Sequence, residues 1–445
     1  MPLTTPAAIQ KLVAKTLAEQ PIVDMHTHLY SPAFGTPVPN KTGKLDPAGL
    51  LLYGLDELLT YHYLIAEVFR VVPATTLSYD AFWKMPKTAQ ADHIWKHLFV
   101  ERTPISEACR GVLTSLQLLG LDVKKEARTG DLTKLRKWFA ALDPDAYIDR
   151  VMALSGVSSI TMTNAVFDDN ERNRWLASPK PLRSDPRFKS VLRIDPILCD
   201  WPSAARKLTE WGYHAGDGTT LTPANIDAGK KFLADWIDRQ QAIYVALSLP
   251  PEFRYPAPEN YPAARAGQIA LEKIILPVLA QRKLPFAMMI GSRRGVNPPL
   301  RDAADMGGLS DVSSVTRLCR AFPQNKFFVT MLARENQHEL AVAARKFGNL
   351  LVFGCWWFLN NPCLIEEITR MRLELLGSSM IPQHSDARVL DQLLYKWQHS
   401  RAIIGKVLAE KYADTAATGW PLSEDQIKSD INRMFKSNFL DFLTR

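Results

Sequence analysis

Short apolar segments rich in β-branched and aromatic residues alternate with longer helical patterns along most of this chain. This alternation predicts a parallel sheet, because each helix returns the chain to the same end of the sheet. The strand candidates are the segment just before His26 and residues 157–163, 188–194, 242–247, 285–290, 326–331, 350–354 and 378–381. About eight strands in 445 residues favour a closed (β/α)8 (TIM) barrel.

An open, doubly wound sheet is the alternative architecture for such an alternation. It is disfavoured because no Gly-x-Gly-x-x-Gly follows the first strand candidate. Residues 264–282, 335–347 and 362–376 are predicted helices, and residues 425–442 are predicted to form a docked C-terminal helix. The stretch from about 40 to 150 is helical and aromatic-rich, so it is interpreted as an insertion within a single catalytic domain that spans residues 1–445.

The overall composition narrows the class of partner. Apolar residues make up 47% of the chain and charged residues 22%, a balance that supports a large buried core. The net charge of +8 is spread out, with no long basic block, which argues against nucleic acid. It is compatible with a small anionic substrate, and equally with a merely basic solvated surface.

The cellular setting is predicted from the cysteines and from hydropathy. The five cysteines show no Cys-x-x-Cys spacing and are expected to be free thiols in a reducing compartment. The N-terminus lacks the apolar core of a signal peptide. No apolar run approaches the ~20 residues needed to cross a bilayer. We therefore expect a soluble cytoplasmic protein that does not contact a membrane.

His26 and His28 are the first candidate functional residues. They end an apolar strand candidate, and residues two apart on a strand face the same side. Two converging imidazoles are typical ligands of Zn²⁺ or a similar divalent metal. A chance His-x-His is the alternative, but the position after an apolar strand favours a metal site.

The segment Ile381–Arg388 follows the last strand candidate and contains a second group of polar residues. Asp386 and Arg388 would share one face of an extended chain, and His384 would join them if the strand continued that far. Asp386 could complete the histidine site as a ligand, or act as a base beside the metal. Alternatively, Ser385 or Asp386 caps the following helix. Taken together with the histidine pair, the catalytic role is favoured.

Several motifs occur in a recognisable order between residue 22 and about residue 440. They are His26–Pro32, Gly54–Tyr63, Leu192–Asp195, Gly354–Asn360, and Ser385–Arg388 with the helix through Tyr395, Trp397 and Arg401. None is decisive alone, but together they resemble the uronate isomerases (glucuronate isomerases) of the amidohydrolase superfamily. The resemblance covers nearly the whole chain.

This resemblance implies a (β/α)8 barrel of the metal-dependent hydrolase type. It implies one divalent metal held by His26, His28 and Asp386, with Zn²⁺ as the first candidate and Mn²⁺ or another ion as the alternatives. The implied reaction is aldose–ketose isomerisation of a hexuronate, glucuronate or galacturonate, or of a related sugar acid. A mononuclear metal-dependent hydrolase or lyase acting on a carboxylated substrate is the main alternative. A protein that binds a sugar acid without catalysing a reaction is the third hypothesis. A homo-oligomer is compatible with the resemblance.

The resemblance also places four residues around the sugar acid: His62, Tyr63, Arg193 and Arg388. Isomerisation needs a base at C2 and stabilisation of an enediolate, and Asp386 is the candidate base. Arg193 offers a planar fork for the uronate carboxylate. His62 and Tyr63 are candidates for hydrogen bonds to the carboxylate or the oxyanion; packing within a helix is their alternative role.

Trp356 and Trp357 are candidate walls for the apolar faces of a sugar. Structural packing is an equally good interpretation of Trp357.

The chain departs from the family pattern at the fifth strand, where Met289 replaces a histidine, and a thioether is a poor ligand for a hard ion. His384, two residues before Asp386, is a further candidate ligand, or else a hydrogen-bonding neighbour of the metal ligands. A drift in function is the other explanation. The fourth strand candidate, which carries Arg193, lacks the lysine of two-metal amidohydrolases, so one metal is expected.

Overall fold

Seven parallel strands form the central sheet in a computed structural model that describes residues 5–35, 49–177 and 185–445. The strands are β1 Ile22–Thr27, β2 Val157–Ala165, β3 Phe188–Arg193, β4 Val245–Leu249, β5 Phe286–Ile290, β8 Phe327–Met331 and β9 Leu350–Val352. Their spatial order follows the chain, and β6 Ser292–Arg293 with β7 Met306–Gly307 forms a separate antiparallel ribbon. This is the predicted (β/α)8 barrel, and the predicted strand positions from residue 157 to residue 352 are confirmed within a few residues.

The eighth side of the barrel is closed by an irregular segment. The strand predicted at residues 378–381 is reduced to a single bridge between Ile381 and Phe353. The expected extension of this strand to Arg388 is wrong, because Asp386 has φ 52°, which is left-handed rather than extended. Backbone bonds from the Asp386 amide to the His26 carbonyl (3.1 Å) and from the His28 amide to the Ala387 carbonyl (2.7 Å) join this segment to β1.

Helices cover the outside of the barrel. They are Pro6–Glu19, Asp169–Ala177, Asp195–Cys199, Trp201–Glu210, Pro223–Gln240, Pro262–Ala270, Leu271–Ile275, Leu276–Arg282, Val312–Ala321, Asn336–Ala344, Pro362–Leu376, Gln392–Ala417, Glu424–Asn432, Arg433–Ser437 and Asn438–Thr444, with short 3-10 turns at Pro32–Phe34, Pro298–Ala304 and Trp357–Leu359. The predicted helix at 362–376 is confirmed with the same bounds. The predicted helices at 264–282 and 425–442 are each divided into three consecutive helical segments.

A run of helices separates β1 from β2. It comprises Leu55–Leu59, His62–Val71, Tyr79–Lys84, Lys87–Trp95, Lys96–Val100, Glu107–Leu118, Glu126–Thr129, Thr133–Ala140 and Pro144–Ser155. The predicted helical character of this stretch is confirmed, except that residues 40–48 lie outside the described residues. Asp391 ties the run to the barrel, since it accepts from the Gly54 amide (2.8 Å) and from the Tyr147 hydroxyl. The limits of the insertion, and its place in a single domain, remain predictions.

The amino-terminal end of the barrel is filled by side chains. Phe439 and Phe442 of the last helix pack on Phe328 of β8, with ring centroids 5.7 and 4.9 Å apart. The Tyr244 hydroxyl donates to the Met25 carbonyl inside this cluster. These side chains block the barrel interior from this end, so the accessible interior lies at the carboxyl ends of the strands, where active sites of such barrels lie.

The five cysteines are free thiols, as expected. No helix in the described ranges is both long enough and apolar enough to cross a membrane. A cytoplasmic location and a homo-oligomeric state remain predictions.

Candidate active site

Two imidazoles and one carboxylate meet at the carboxyl end of β1. The Nε2 atoms of His26 and His28 lie 3.4 and 3.3 Å from Oδ1 of Asp386. One donor atom from each residue lies within 4.8 Å of the other two. His26 Nε2 and Asp386 Oδ1 are buried and have no hydrogen-bond partner among the described residues. A divalent cation would satisfy these buried donors, so the residues present fit a metal ion.

The protonation of His26 suits a metal ligand. The Thr163 hydroxyl donates to the Thr27 carbonyl (2.8 Å), so its oxygen accepts a hydrogen bond from His26 Nδ1–H, 3.2 Å away. With its Nδ1 hydrogen engaged in this way, His26 has Nε2 free to act as a metal ligand. This orientation is the one that ligating histidines commonly require.

Burial and neighbouring charges determine the ionisation of the other two groups. Burial lowers the pKa of His28 to about 3, so its ring is neutral at physiological pH. Burial alone would raise the pKa of Asp386, but the two imidazoles beside it hold that pKa well below its usual range. When the two imidazoles bind through neutral nitrogens, the site carries the single negative charge of the carboxylate, which complements a divalent cation.

Asp386 is held in a strained conformation. A non-glycine residue in the left-handed region costs roughly 1–2 kcal/mol. The earlier alternative, in which Ser385 or Asp386 caps the next helix, is wrong, because that helix begins at Gln392 with Asp391 as its N-cap residue. Strain of this kind persists only where the surroundings enforce it, and it is typical of functional sites.

A cavity adjoins these three residues. Its lining residues are His26, His28, Tyr61, His62, Arg193, Ser248, Met289, Arg294, Trp356, Trp357, Asp386 and Arg388. Every residue predicted for the site is in this lining except Tyr63 and His384. Met289 stands at the end of β5 and faces the cavity, so the site has a thioether where the family pattern has a histidine.

His62 begins the helix His62–Val71 and faces Trp357. The Trp357 indole donates to His62 Nε2 at 3.1 Å, so the proton of the neutral ring is on Nδ1. Burial, assisted by the charge of Arg388, lowers the pKa of His62 well below its usual value. His62 therefore contributes a neutral N–H donor, and Trp357 fixes its tautomer in addition to forming part of the wall.

Tyr63 lies behind the cavity rather than in its lining. Its ring packs against His62 with centroids 4.5 Å apart. Its hydroxyl is buried and has no hydrogen-bond partner among the described residues. Burial raises the pKa of Tyr63 well above its usual value, so the phenol stays protonated and available as a donor. The packing role and a hydrogen-bonding role are both compatible with this position.

Arg193 ends β3, the third strand, so its expected place on the fourth strand is wrong. The Nε and Nη2 atoms of Arg193 each lie 2.8 Å from the Asp195 carboxylate. Burial opposes ionisation of Asp195, but the Arg193 guanidinium keeps its pKa below the usual value. One edge of the guanidinium fork is thus already occupied, and Nη1 is left for a ligand.

Arg388 and Arg294 add positive charge at the mouth of the cavity. Arg388 lies 3.7 Å from Asp302, a partner whose side chain is 85% exposed, so this ion pair is weak. Arg294 follows β6 and lies 5.5 Å from the Trp357 ring centroid. Sequence reasoning missed Arg294, Tyr61 and Ser248. Only the adjacency of Tyr61 to His62 was a signal that could have indicated any of them.

His384 lies beside the cluster formed by His26, His28 and Asp386 (the metal-type cluster) but is not part of it. Its ring centroid is 5.3 Å from that of His26, and both ring nitrogens are buried with no partner among the described residues. The group of donors within 4.8 Å of one another, however, contains only His26, His28 and Asp386. Gly354 makes room for the His384 ring, since a Cβ added there would lie 1.7 Å from Nδ1.

We expect Gly354→Ala to lower the free energy of unfolding by about 2–4 kcal/mol, because the methyl group would clash with His384 and alanine is strained in a left-handed conformation. Gly354 has φ 64°. Urea denaturation measures the change. Gly348→Ala is the matched control, since nothing lies within 4 Å of its added Cβ. Equal losses in the two variants would contradict this assignment.

The barrel fold, with two histidines and an aspartate at the carboxyl ends of its strands, defines a (β/α)8-barrel enzyme whose donor cluster fits a divalent metal. A scan with protein-family models and a search of curated proteins returned no match. Among solved structures, a uronate isomerase from Bacillus halodurans is 46% identical, with a TM-score of 0.90 over 100% of this chain and 98% of that chain. The chain therefore belongs to the uronate isomerase family.

Two more distant structures share the fold. A uronate isomerase from Thermotoga maritima is 12% identical, with a TM-score of 0.71 over 98% of this chain and 97% of that chain. A glucuronate isomerase from Caulobacter crescentus is 15% identical, with a TM-score of 0.70 over 99% of this chain and 94% of that chain. At these identities, the similarity concerns the fold alone.

Proposed function

We propose that this protein is a metal-dependent uronate isomerase that interconverts an aldohexuronate, glucuronate or galacturonate, and its ketouronate. One observation carries the proposal: the Asp386 carboxylate, the imidazoles of His26 and His28, and three guanidinium groups surround a single cavity. The similarity over the full chain to a uronate isomerase supports the same activity. The cationic groups suit a sugar acid, and the carboxylate suits proton transfer.

His26, His28 and Asp386 would hold the metal. Three protein ligands of nitrogen and oxygen type are characteristic of catalytic zinc sites, so Zn²⁺ is the proposed ion. When bound, a divalent ion supplies Lewis-acid polarisation of substrate oxygens and a template for their orientation. A lysine is absent from β4 Val245–Leu249, and the Arg193 that precedes it is paired with Asp195, so a single ion is proposed.

Asp386 is proposed as the group that moves the proton. In the aldose-to-ketose direction it removes the C2 proton and returns it to C1, while the proton of the C2 hydroxyl moves to O1. The two changes balance, since no atom is gained or lost. Because the pKa of Asp386 is held low, the carboxylate is ionised before the reaction starts. Oδ1 faces the two imidazoles, and Oδ2 is the remaining oxygen for the proton.

The other cavity residues are proposed to bind and orient the sugar acid. His62, with its proton on Nδ1, donates to the carboxylate or to the oxygen on which negative charge develops. The Tyr63 phenol, which lies behind His62 and outside the cavity lining, is the second proposed donor. Arg388 and Nη1 of Arg193 bind the carboxylate. Trp356 and Trp357, which are 3% and 7% exposed, exclude water and offer flat apolar faces to the sugar.

The test is a steady-state assay of the metal-loaded protein on D-glucuronate, D-galacturonate and the neutral aldose D-glucose. We expect turnover of a uronate to the ketouronate, and a much higher KM for glucose, because it lacks the carboxylate. Hydrolysis of a uronate lactone without any isomerisation would overturn the proposal in favour of a hydrolase.

Arg193→Met is expected to raise KM for the uronate between about tenfold and a hundredfold, which corresponds to the roughly 1.5–3 kcal/mol of a hydrogen bond to a charged group. The effect on kcat should be much smaller. This substitution also leaves Asp195 buried without its partner, so Arg193→Met/Asp195→Asn is the matched variant that separates binding from stability. An unchanged KM for the uronate in the folded double variant would refute the role of Arg193.

A further inference from the structure

Lys396 lies behind the metal-type cluster and has no contact with the cavity. It belongs to the helix Gln392–Ala417, and it is only 3% exposed. Its Nζ donates to the Ser385 carbonyl at 2.6 Å and to the Asp386 carbonyl at 3.4 Å. The ammonium group therefore binds both peptide carbonyls of the turn that presents the Asp386 carboxylate.

The turn at Asp386 needs this support because it is not part of a regular strand. The Asp386 amide donates to the His26 carbonyl of β1, and the Ala387 carbonyl accepts from the His28 amide. The Ser385 amide donates to the Asp24 carboxylate (3.1 Å). Neither the Ser385 nor the Asp386 carbonyl has a strand partner among the described residues, and the Ser385 carbonyl has only a longer second bond, from Asn360 Nδ2 at 3.4 Å. Lys396 satisfies both of them at once, in place of the ladder that an eighth strand would supply.

Other residues at the start of the same helix hold the flanking parts of the segment. Gln392 Oε1 accepts from the amides of Arg388 (2.9 Å) and Val389 (3.2 Å). The Trp397 indole donates to Asp24 (2.9 Å), and Asp24 in turn accepts from the Ser385 amide (3.1 Å). The first two turns of the helix thus fix the segment before and after Asp386, and Lys396 provides the contact to Asp386 itself.

We propose that Lys396 is a positioning residue of the active site, which keeps the Asp386 carboxylate between the imidazoles of His26 and His28. The inference rests on the proposed metal-binding role of those three residues. Because Lys396 does not line the cavity, it acts on the substrate only through Asp386. Groups that orient metal ligands typically affect metal affinity or activity by 10–100-fold when replaced.

The test compares Lys396→Met with a matched lysine at the opposite end of the barrel. Lys326 also donates to two backbone carbonyls, those of Leu443 (2.8 Å) and Arg445 (3.0 Å), but it precedes β8 at the packed end. Zn²⁺ affinity of each apo-protein is measured by competition with a chromophoric chelator. Steady-state kinetics on the uronate at saturating Zn²⁺ then separate kcat from KM.

We expect Lys396→Met to weaken Zn²⁺ binding by about 10–100-fold and to lower kcat by a similar factor, with KM changed little. Lys326→Met should leave Zn²⁺ affinity and kcat at wild-type values even if it lowers the melting temperature. Because Zn²⁺ binding is measured without a sugar, a failure of the isomerase proposal alone would leave the metal result intact.

Three outcomes would overturn the proposal. The first is a folded Lys396→Met protein with wild-type Zn²⁺ affinity and kcat. The second is an equal loss of both quantities in Lys326→Met. If Lys396→Met does not fold, Lys396→Gln, which retains an N–H donor, takes its place under the same criteria. Failure of both variants to fold is the third outcome, because it would make the lysine a requirement of folding rather than of position.

Discussion

Replacing Asp386 by asparagine is expected to lower kcat about a thousandfold at saturating Zn²⁺, within the range that a positioned acid–base group contributes. Asparagine has nearly the same shape but cannot take up the C2 proton. The substitution also removes the negative charge from the metal-type cluster, so Zn²⁺ affinity should fall as well. Kinetics at several Zn²⁺ concentrations separate the two effects, because only the loss of affinity is reversed by excess metal.

Asp227→Asn is the matched control for this experiment. This substitution makes the same chemical change on an outer helix, where the Asp227 side chain is 76% exposed and pairs with Lys230. It should have wild-type kinetics, and both variants should keep the circular dichroism spectrum of the parent. A folded Asp386→Asn protein with undiminished turnover would remove Asp386 from the mechanism and leave the site without its proposed base.

Removal of the metal is expected to abolish activity, and one Zn²⁺ per chain should restore it. The described residues contain one cluster of at least three donors within ligand distance of one another, which is the basis for the expected stoichiometry. Dialysis against a chelator, followed by titration with Zn²⁺ or Mn²⁺ and by metal analysis, measures both quantities. The ion that restores activity at the lower concentration identifies the preferred metal.

His26→Ala provides the control for metal dependence. This variant loses a buried nitrogen ligand, so added Zn²⁺ should not restore its activity at concentrations that saturate the wild type. Full activity in metal-free wild-type protein would contradict a metal-dependent mechanism. A requirement for two ions per chain would contradict the single-metal site and point to donors outside the cluster described above.

The strands of the barrel could be predicted because their signal is local. Each central strand is a short apolar run, such as Phe286–Ile290, which is buried along its whole length, as expected in a parallel sheet covered by helices. The helix Pro362–Leu376 could be placed because Asn361 caps it and a proline begins it. Such features depend only on neighbouring residues, so a single sequence contains them.

The eighth strand was predicted wrongly because local pattern was not the deciding factor there. Residues Ser378–Ile381 have strand composition, but Asp386 adopts a left-handed conformation that no alternation of residue types indicates. Backbone bonds to β1 and the ammonium group of Lys396 enforce that conformation. These partners are distant in sequence, and only the closure of the barrel brings them to the same turn.

The sequence by itself determined the barrel, the His26–His28 pair and the residue types that surround a sugar acid. These follow from hydrophobic periodicity, from the two-residue repeat of a strand and from the order of recognisable motifs. The tertiary structure decided how the groups act together. In the folded chain, Oδ1 of Asp386 lies close to both imidazoles. One edge of the Arg193 guanidinium is paired with Asp195, and His384 lies beside the cluster rather than in it. These relations depend on distances between residues far apart in the chain, which local sequence does not specify.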